Sequence, residues 1–260
     1  LAVCATYRGA FVLGSDIDIR VLKGLRHAGP ADNDKTPPKD SKDKVQRDIR
    51  AVFAQYNLPV PELVRMDAHI PPTYPHDQSV YDAIITDPPY GIRAGARKSG
   101  RRGGCKIDPE MRGEGKADAQ GEKGEGWEEL VPPTQPYLVE EVVLDLLHNA
   151  AYTLKLGGVL AYLLPTPYDF DPPADLPPHP CLSVIHVLHQ PLSGRHGRRV
   201  VIARKTSEYG PLEREAWYRY VRKIQTGEHV EGLGGGFASL IGRLQQALSA
   251  DAYQNDSVVK

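Results

Sequence analysis

Residues 81–90 read Tyr-Asp-Ala-Ile-Ile-Thr-Asp-Pro-Pro-Tyr, YDAIITDPPY. The first six, with β-branched and aromatic side chains between turn residues, read as a strand. Asp87-Pro88-Pro89 is an unusual way to end one. Proline has no N–H and a fixed φ, and it pushes the residue before it toward extended geometry. Pro88 and Pro89 therefore make a stiff corner with exposed carbonyls and no competing donors. With the carboxylate of Asp87, the corner presents two acceptors side by side. An exocyclic amine has two N–H groups to match them. Tyr90 adds a flat face on which a base can stack, worth ~1–3 kcal/mol.

Working outward from this corner, the chain alternates strands and helices. Downstream, Val139, Val142, Val143, Leu146, Leu147, Ala150, Ala151 and Leu154 recur at helical spacing, and Gly157-Gly158 reads as the helix stop. Val159–Leu164 is then an apolar strand. Cys181–Leu188 and Val200–Arg204 read as a hairpin around the basic turn Ser193–Arg199. Upstream, Leu1–Tyr7 reads as the tail of a helix, Phe11–Gly14 as a short buried strand, and Asp18 as the cap of a helix reaching Leu25. A helix is expected from Val45 to Tyr56 and a strand at Leu63–Met66. Residues 28–44 and 91–126 read as loops. Two helical patterns close the chain, the second with Phe237, Leu240, Ile241, Leu244 and Leu248 on one face. The order implies an α/β fold: a mostly parallel sheet covered on both faces, with a C-terminal antiparallel hairpin. Residues 1–206 are expected to form the main domain and 207–260 a helical extension.

Composition bounds the function. The chain has 260 residues, of which 32 are Lys or Arg and 33 Asp or Glu, a net charge of −1 that excludes a globally basic coat but not a local patch. No apolar run approaches membrane-spanning length. The three cysteines, Cys4, Cys105 and Cys181, are odd in number and far apart. They form neither a disulfide framework nor a zinc site, so a reducing, cytoplasmic setting is expected. His186 and His189 are three apart on a predicted strand and cannot chelate one metal.

Three predicted strands end in an acid: Asp16, Asp67 and Asp87. In such sheets ligands sit beyond the carboxyl ends of the strands. Asp16 can accept the two hydroxyls of a ribose, and Asp67 the amino group of an adenine. The same residues also suit turn formation and helix capping. Beyond the corner, Arg93, Arg97, Lys98, Arg101, Arg102 and Lys106 stand with no acid between Gly91 and Ile107. They suit a phosphate backbone passing the pocket; a solvated loop is the alternative.

TDPPYGIR after an apolar strand, with GSDID upstream and MDAHIP between, resembles the amino-group methyltransferases that use S-adenosylmethionine. The match is strongest to the catalytic domain that makes N2-methylguanosine at position 10 of tRNA. It runs through LAVCATYRGAFVLGSDID, RDIRAVFAQYNL, VRMDAHIP, YDAIITDPPYGIR, LKLGGVLAYLLPTP and GRRVVIARK. The resemblance implies a Rossmann-like fold. Asp16 and Ile17 would hold the cofactor ribose and adenine, and Asp67 and Ala68 the adenine edge. Asp87, Pro88, Pro89 and Tyr90 would form the target-amine pocket. It also implies tRNA and a small zinc-binding activator subunit as partners, with Leu63–Met66 as the docking edge. Family members begin the domain with a strand and a Gly-rich turn, Asp-Pro-Phe-x-Gly-x-Gly. Leu1 falls where the next helix would continue, so the first strand, that loop and a further RNA-binding region are expected to be missing. DPPY chemistry alone also suits a DNA amino-methyltransferase, and the shortened chain an inactive fragment that binds only RNA or its partner.

Overall fold

The structure is a computed structural model that describes residues 1–18, 22, 49–70, 79–89, 96–99, 134–192, 196–226 and 236–257. In chain order the elements are α1 (Ala2–Tyr7), β1 (Leu13–Asp16), α2 (Ile49–Gln55), β2 (Glu62–Arg65), β3 (Tyr81–Thr86), β4 (Arg97–Ser99) and β5 (Thr134–Pro136). They continue with α3 (Val139–Thr153), β6 (Leu154–Pro167), α4 (Pro172–Asp175), β7 (Leu182–Pro191), β8 (His196–Lys205), α5 (Pro211–Thr226) and α6 (Gly236–Ser257).

The main sheet has the order β3-β6-β8-β7. β3 runs parallel to β6, while β6–β8 and β8–β7 are antiparallel. A separate parallel pair, β1–β2, and a short antiparallel ribbon, β4–β5, complete the strands. The fold is thus α/β with mixed sheets. The main sheet is mixed and not mostly parallel among the described strands, because its one parallel pairing, β3–β6, is followed by two antiparallel ones; the C-terminal hairpin forms the antiparallel edge as expected, with β8 next to β6 and β7 outermost.

One face of the main sheet carries the core. Leu160, Tyr162 and Leu164 of β6 and Val201 and Ala203 of β8 are buried. They join Val143, Leu147, Ala150 and Ala151 of α3, Trp217 of α5, and Phe237, Leu240 and Ile241 of α6 in one cluster. The helices after residue 206 therefore close the same core as the strands before it. Burying side chains of this size stabilises by roughly 1.5–3 kcal/mol each.

Helix α3 forms as its periodicity predicts, but it stops at Thr153, before the glycines. Leu154 is already extended, with φ −72° and ψ 141°. Gly157 and Gly158 lie inside β6, where three residues of β3 lie along six of β6, from Tyr81↔Leu154 to Ala83↔Val159. Gly157 has φ +81°, and a Cβ on Gly158 would stand 2.8 Å from the Lys155 carbonyl oxygen. The pair makes a bulge. What ends the helix is tertiary: the Val80 N–H donates to the Thr153 carbonyl, and the buried Lys205 ammonium donates to the Leu154 carbonyl at 2.7 Å.

Two further expectations change. The strand near the N-terminus begins at Leu13, and Phe11 is fully exposed, so Phe11–Gly14 is not a buried strand. The segment 91–126 is not loop throughout, since Arg97–Ser99 pairs with Thr134–Pro136. That ribbon joins the two ends of the long excursion between β3 and α3. Of the helix predicted over 45–56, residues 49–55 are helical and 45–48 lie outside the described residues.

Candidate methyl-transfer site

The corner comes directly after β3. Asp87 is exposed, Pro88 buried and Pro89 exposed; Tyr90 lies outside the described residues. A buried ring between two exposed neighbours fixes the bend and leaves the carboxylate in solvent. β6 outruns β3 here: Thr86 is opposite Tyr162, and β6 continues to Pro167. The corner therefore turns against an overhang in which Leu164, Pro165, Thr166 and Pro167 are buried.

The other two acids stand together at one end of the β1–β2 pair. Asp16 is opposite Arg65, and the Met66 N–H donates to the Asp16 carbonyl. Both acidic side chains are aimed by backbone donors. Asp16 Oδ1 accepts the Asp18 N–H at 2.8 Å. Asp67 Oδ1 accepts the His69 N–H at 2.9 Å, and Oδ2 accepts the Ser99 N–H at 2.7 Å. The turn-forming role read in these residues is thus present. A carboxylate has about four lone-pair sites, so neither acid is used up by it. Ile17 is half-buried, and its carbonyl accepts from Arg65 Nε. The Ala68 carbonyl accepts from Asn149 Nδ2 at 2.7 Å.

The Ser99–Asp67 bond ties β2 to the ribbon that carries the basic loop. Beneath it lies a network that sequence reasoning missed. His69 Nδ1 lies 2.8 Å from Asp145 Oδ2, which also accepts the Tyr137 hydroxyl proton. Burial, with the hydrogen bond to Asp145 second, raises the Tyr137 phenol far above its usual range, so it stays a donor. A cavity of about 150 Å³ opens beside this network, lined by residues that include Ala68, Asp145, His148 and Asn149. Asp145 lies on the polar side of α3 with Glu141, His148 and Asn149, opposite the apolar stripe.

The basic residues divide. Arg97 is exposed on β4. Lys98 is not available to a phosphate backbone: it is 7% exposed, its ammonium is 2.8 Å from Glu141 Oε1, and it lies 5.4 Å from the Tyr137 ring centroid. That single assignment is corrected, because alternation along β4 turns residue 98 inward. Glu141 also accepts the Leu138 N–H at the start of α3. Arg93, Arg101, Arg102 and Lys106 lie outside the described residues. Among the described residues, no group of His, Cys, Asp and Glu is placed to hold a metal ion, and no helix is long and apolar enough to cross a membrane.

No family model matches the chain. Individual proteins do. The Dictyostelium discoideum protein named tRNA (guanine(10)-N(2))-methyltransferase TRMT11 is 44% identical over 132 residues, 50% of this chain and 24% of its own length. The human and mouse proteins of that name are each 34% identical over 80% of this chain, which spans 41% of either. The chain therefore covers about two fifths or less of the relatives it matches. Over most of its length the chain is similar to one part of the TRMT11 proteins.

Proposed function

We propose that this chain is the Rossmann-like catalytic part of an S-adenosylmethionine-dependent enzyme that methylates the N2 amine of guanosine, at position 10, in tRNA. One observation carries the reading: the acid-and-proline corner stands at the tip of β3 with its carboxylate exposed and its first ring buried, in a chain related to TRMT11.

The N2 amine of guanine is a poor nucleophile because its lone pair delocalises into the ring. The Asp87 carboxylate and the Pro88 carbonyl would accept its two N–H bonds and draw the nitrogen toward tetrahedral geometry. That frees the lone pair for attack, and the carboxylate opposes the positive charge that grows on nitrogen. Tyr90 would stack on the base. Holding both reactants in register supplies much of the rest, up to ~7–11 kcal/mol in favourable cases.

The cofactor residues fit their roles by chemistry. Asp16 offers an oriented carboxylate for ribose hydroxyls, Ile17 an apolar face, and Asp67 a carboxylate beside the Ala68 backbone for an adenine edge. S-adenosylmethionine, when bound, supplies the electrophilic methyl group. The strand and Gly-rich turn that the family places ahead of β1 would complete the hold on its methionine end. Arg97, with Arg93, Arg101, Arg102 and Lys106, would meet the RNA backbone. A small zinc-binding activator subunit would dock along β2, where Val64 is 39% exposed and an open strand edge can recruit another strand. Protection of residues 62–65 from deuterium exchange on adding that subunit tests the docking. The setting proposed is cytoplasmic.

The deciding experiment is methyl transfer by the complete protein carrying Asp87→Asn. Transfer to unmodified tRNA should fall by about a hundredfold or more, with S-adenosylmethionine affinity nearly unchanged. Equal loss of both, or preferred transfer to duplex DNA, would sink the reading.

A further inference from the structure

The β7–β8 hairpin carries no acid at all. From Leu182 to Lys205 the chain reads LSVIHVLHQPLSGRHGRRVVIARK. Its tip pairs with the part of β6 that overhangs β3: Leu164↔Arg199, Pro165↔Arg198, Thr166↔Gly197 and Pro167↔His196. The tip therefore rises past Thr86 on the same side of the molecule as Asp87.

The surface there is shaped. His189 is exposed and opposite Arg199. Its ring lies over Gly197, where a Cβ would come within 2.6 Å of His189 Nε2. Tyr168, the residue just after β6, is 45% exposed and meets the His189 ring edge-to-face, 5.5 Å between centroids. Arg199 is braced from below by the Phe170 ring, 5.2 Å away, and donates to Thr166 Oγ1 at 3.3 Å. Arg198 donates to Gln190 Oε1 at 2.7 Å. Neither arginine has a carboxylate partner among the described residues. Asp169, the residue after Tyr168, is itself held by Arg243 of α6 at 2.8 Å. Arg243 also binds the buried Asp175, so α6 clamps both ends of the segment that presents Tyr168 and Phe170.

Two guanidinium groups without acid partners among the described residues, next to an exposed aromatic pair, match the chemistry of single-stranded RNA. Cations take the phosphates, and bases stack on tyrosine, histidine and guanidinium planes. We propose that Tyr168, His189 and Arg198, braced by Arg199, form a shelf that grips the nucleotide next to the methylated one. The proposal rests on the reading of the Asp87 corner as the target-amine pocket. The shelf opposes one strand's return into its stack, so the target base stays exposed beside the corner.

The test is equilibrium binding of an unmodified tRNA transcript to the complete protein over a range of salt, with S-adenosylmethionine affinity measured in parallel. Arg198→Glu and Tyr168→Ala should each weaken tRNA binding by about tenfold. Arg198→Glu should also lower the salt slope by about one, and Arg198→Lys should restore both. Cofactor affinity should stay constant throughout. Unchanged tRNA affinity and slope would overturn the shelf. So would parallel loss of cofactor affinity, which would assign these residues to folding alone. Both readouts are binding, so they stand apart from the Asp87→Asn result: a shelf that fails leaves catalysis by the corner intact, and a corner that fails leaves tRNA binding to be measured.

Discussion

The β6–β8–β7 sheet and the β1–β2 pair are built on opposite terms. The first has strands of 10–14 residues and a face sealed by α3, α5 and α6. The second has strands of four residues, with Leu13 43% and Val64 39% exposed. The corner proposed to grip the amine follows β3 at the other side of that sheet, and the shelf proposed to grip RNA stands on its β6–β8–β7 strands. Those proposed to hold the cofactor stand mostly on the open pair. Small sheets with few buried apolar contacts open at low cost, so the cofactor side is the part expected to be ordered by what binds to it.

Amide exchange gives the largest contrast. Core amides of β6 and β8 should exchange at least about a thousandfold more slowly than those of β1 and β2, since the former need near-global unfolding and the latter only local opening. Similar protection in both would mean that the two sheets unfold as one unit. Side-chain truncation should show the next largest effect. Leu160→Ala, at a fully buried position, should cost about 3 kcal/mol in denaturant unfolding. Phe11→Ala should leave the melting temperature unmoved; a drop comparable to that of Leu160→Ala would show that the open pair packs more tightly than its exposure indicates.

Acid should act on the sealed part first. His179 packs 4.5 Å from Trp217, and its buried Nε2 has no hydrogen-bond partner among the described residues. Burial, with the neighbouring His148 second, pushes its pKa down to about 3. The unfolded chain takes up a proton near pH 6.5 that the folded one refuses. Stability from this group is therefore complete above pH 6.5 and declines as pH falls toward 3, by at most about 1.4 kcal/mol per pH unit. His148, also lowered chiefly by burial, adds in the same direction. Replacing His179 with Phe should flatten this slope; an unchanged slope would place the acid sensitivity elsewhere. The smallest effect concerns Lys98. Lys98→Met should lower stability by about 1–2 kcal/mol, because Glu141 keeps only the Leu138 N–H, and should leave the salt slope of tRNA binding as it was. A slope reduced by one would show that Lys98 reaches a phosphate after all.

Much of the site's frame was legible because it depends on local rules. The apolar stripe of α3, the β3 strand and the two arms of the terminal hairpin obey periodicities set by backbone geometry. The Asp87 corner comes from proline's own stereochemistry. What could not be read was set by partners distant in sequence. Lys98 looks like any loop cation until β4 pairs with β5 and turns it onto Glu141. Gly157-Gly158 is a plausible helix stop until β3 supplies a strand for β6 to bulge against. Asp145 is one more acid on the polar side of a helix until His69 and Tyr137 meet it.

The amino-acid sequence by itself determined the α/β alternation, the acids at the strand ends and the donor-free corner, since each arises within a few residues. Only the tertiary structure decided that β8 would pair beside β6, that β6 would outrun β3, and that Tyr168, His189 and Arg199 would gather at the tip of the hairpin. Those outcomes depend on which strand edges find each other and on the buried area that results. Neither quantity exists until the chain has closed on itself.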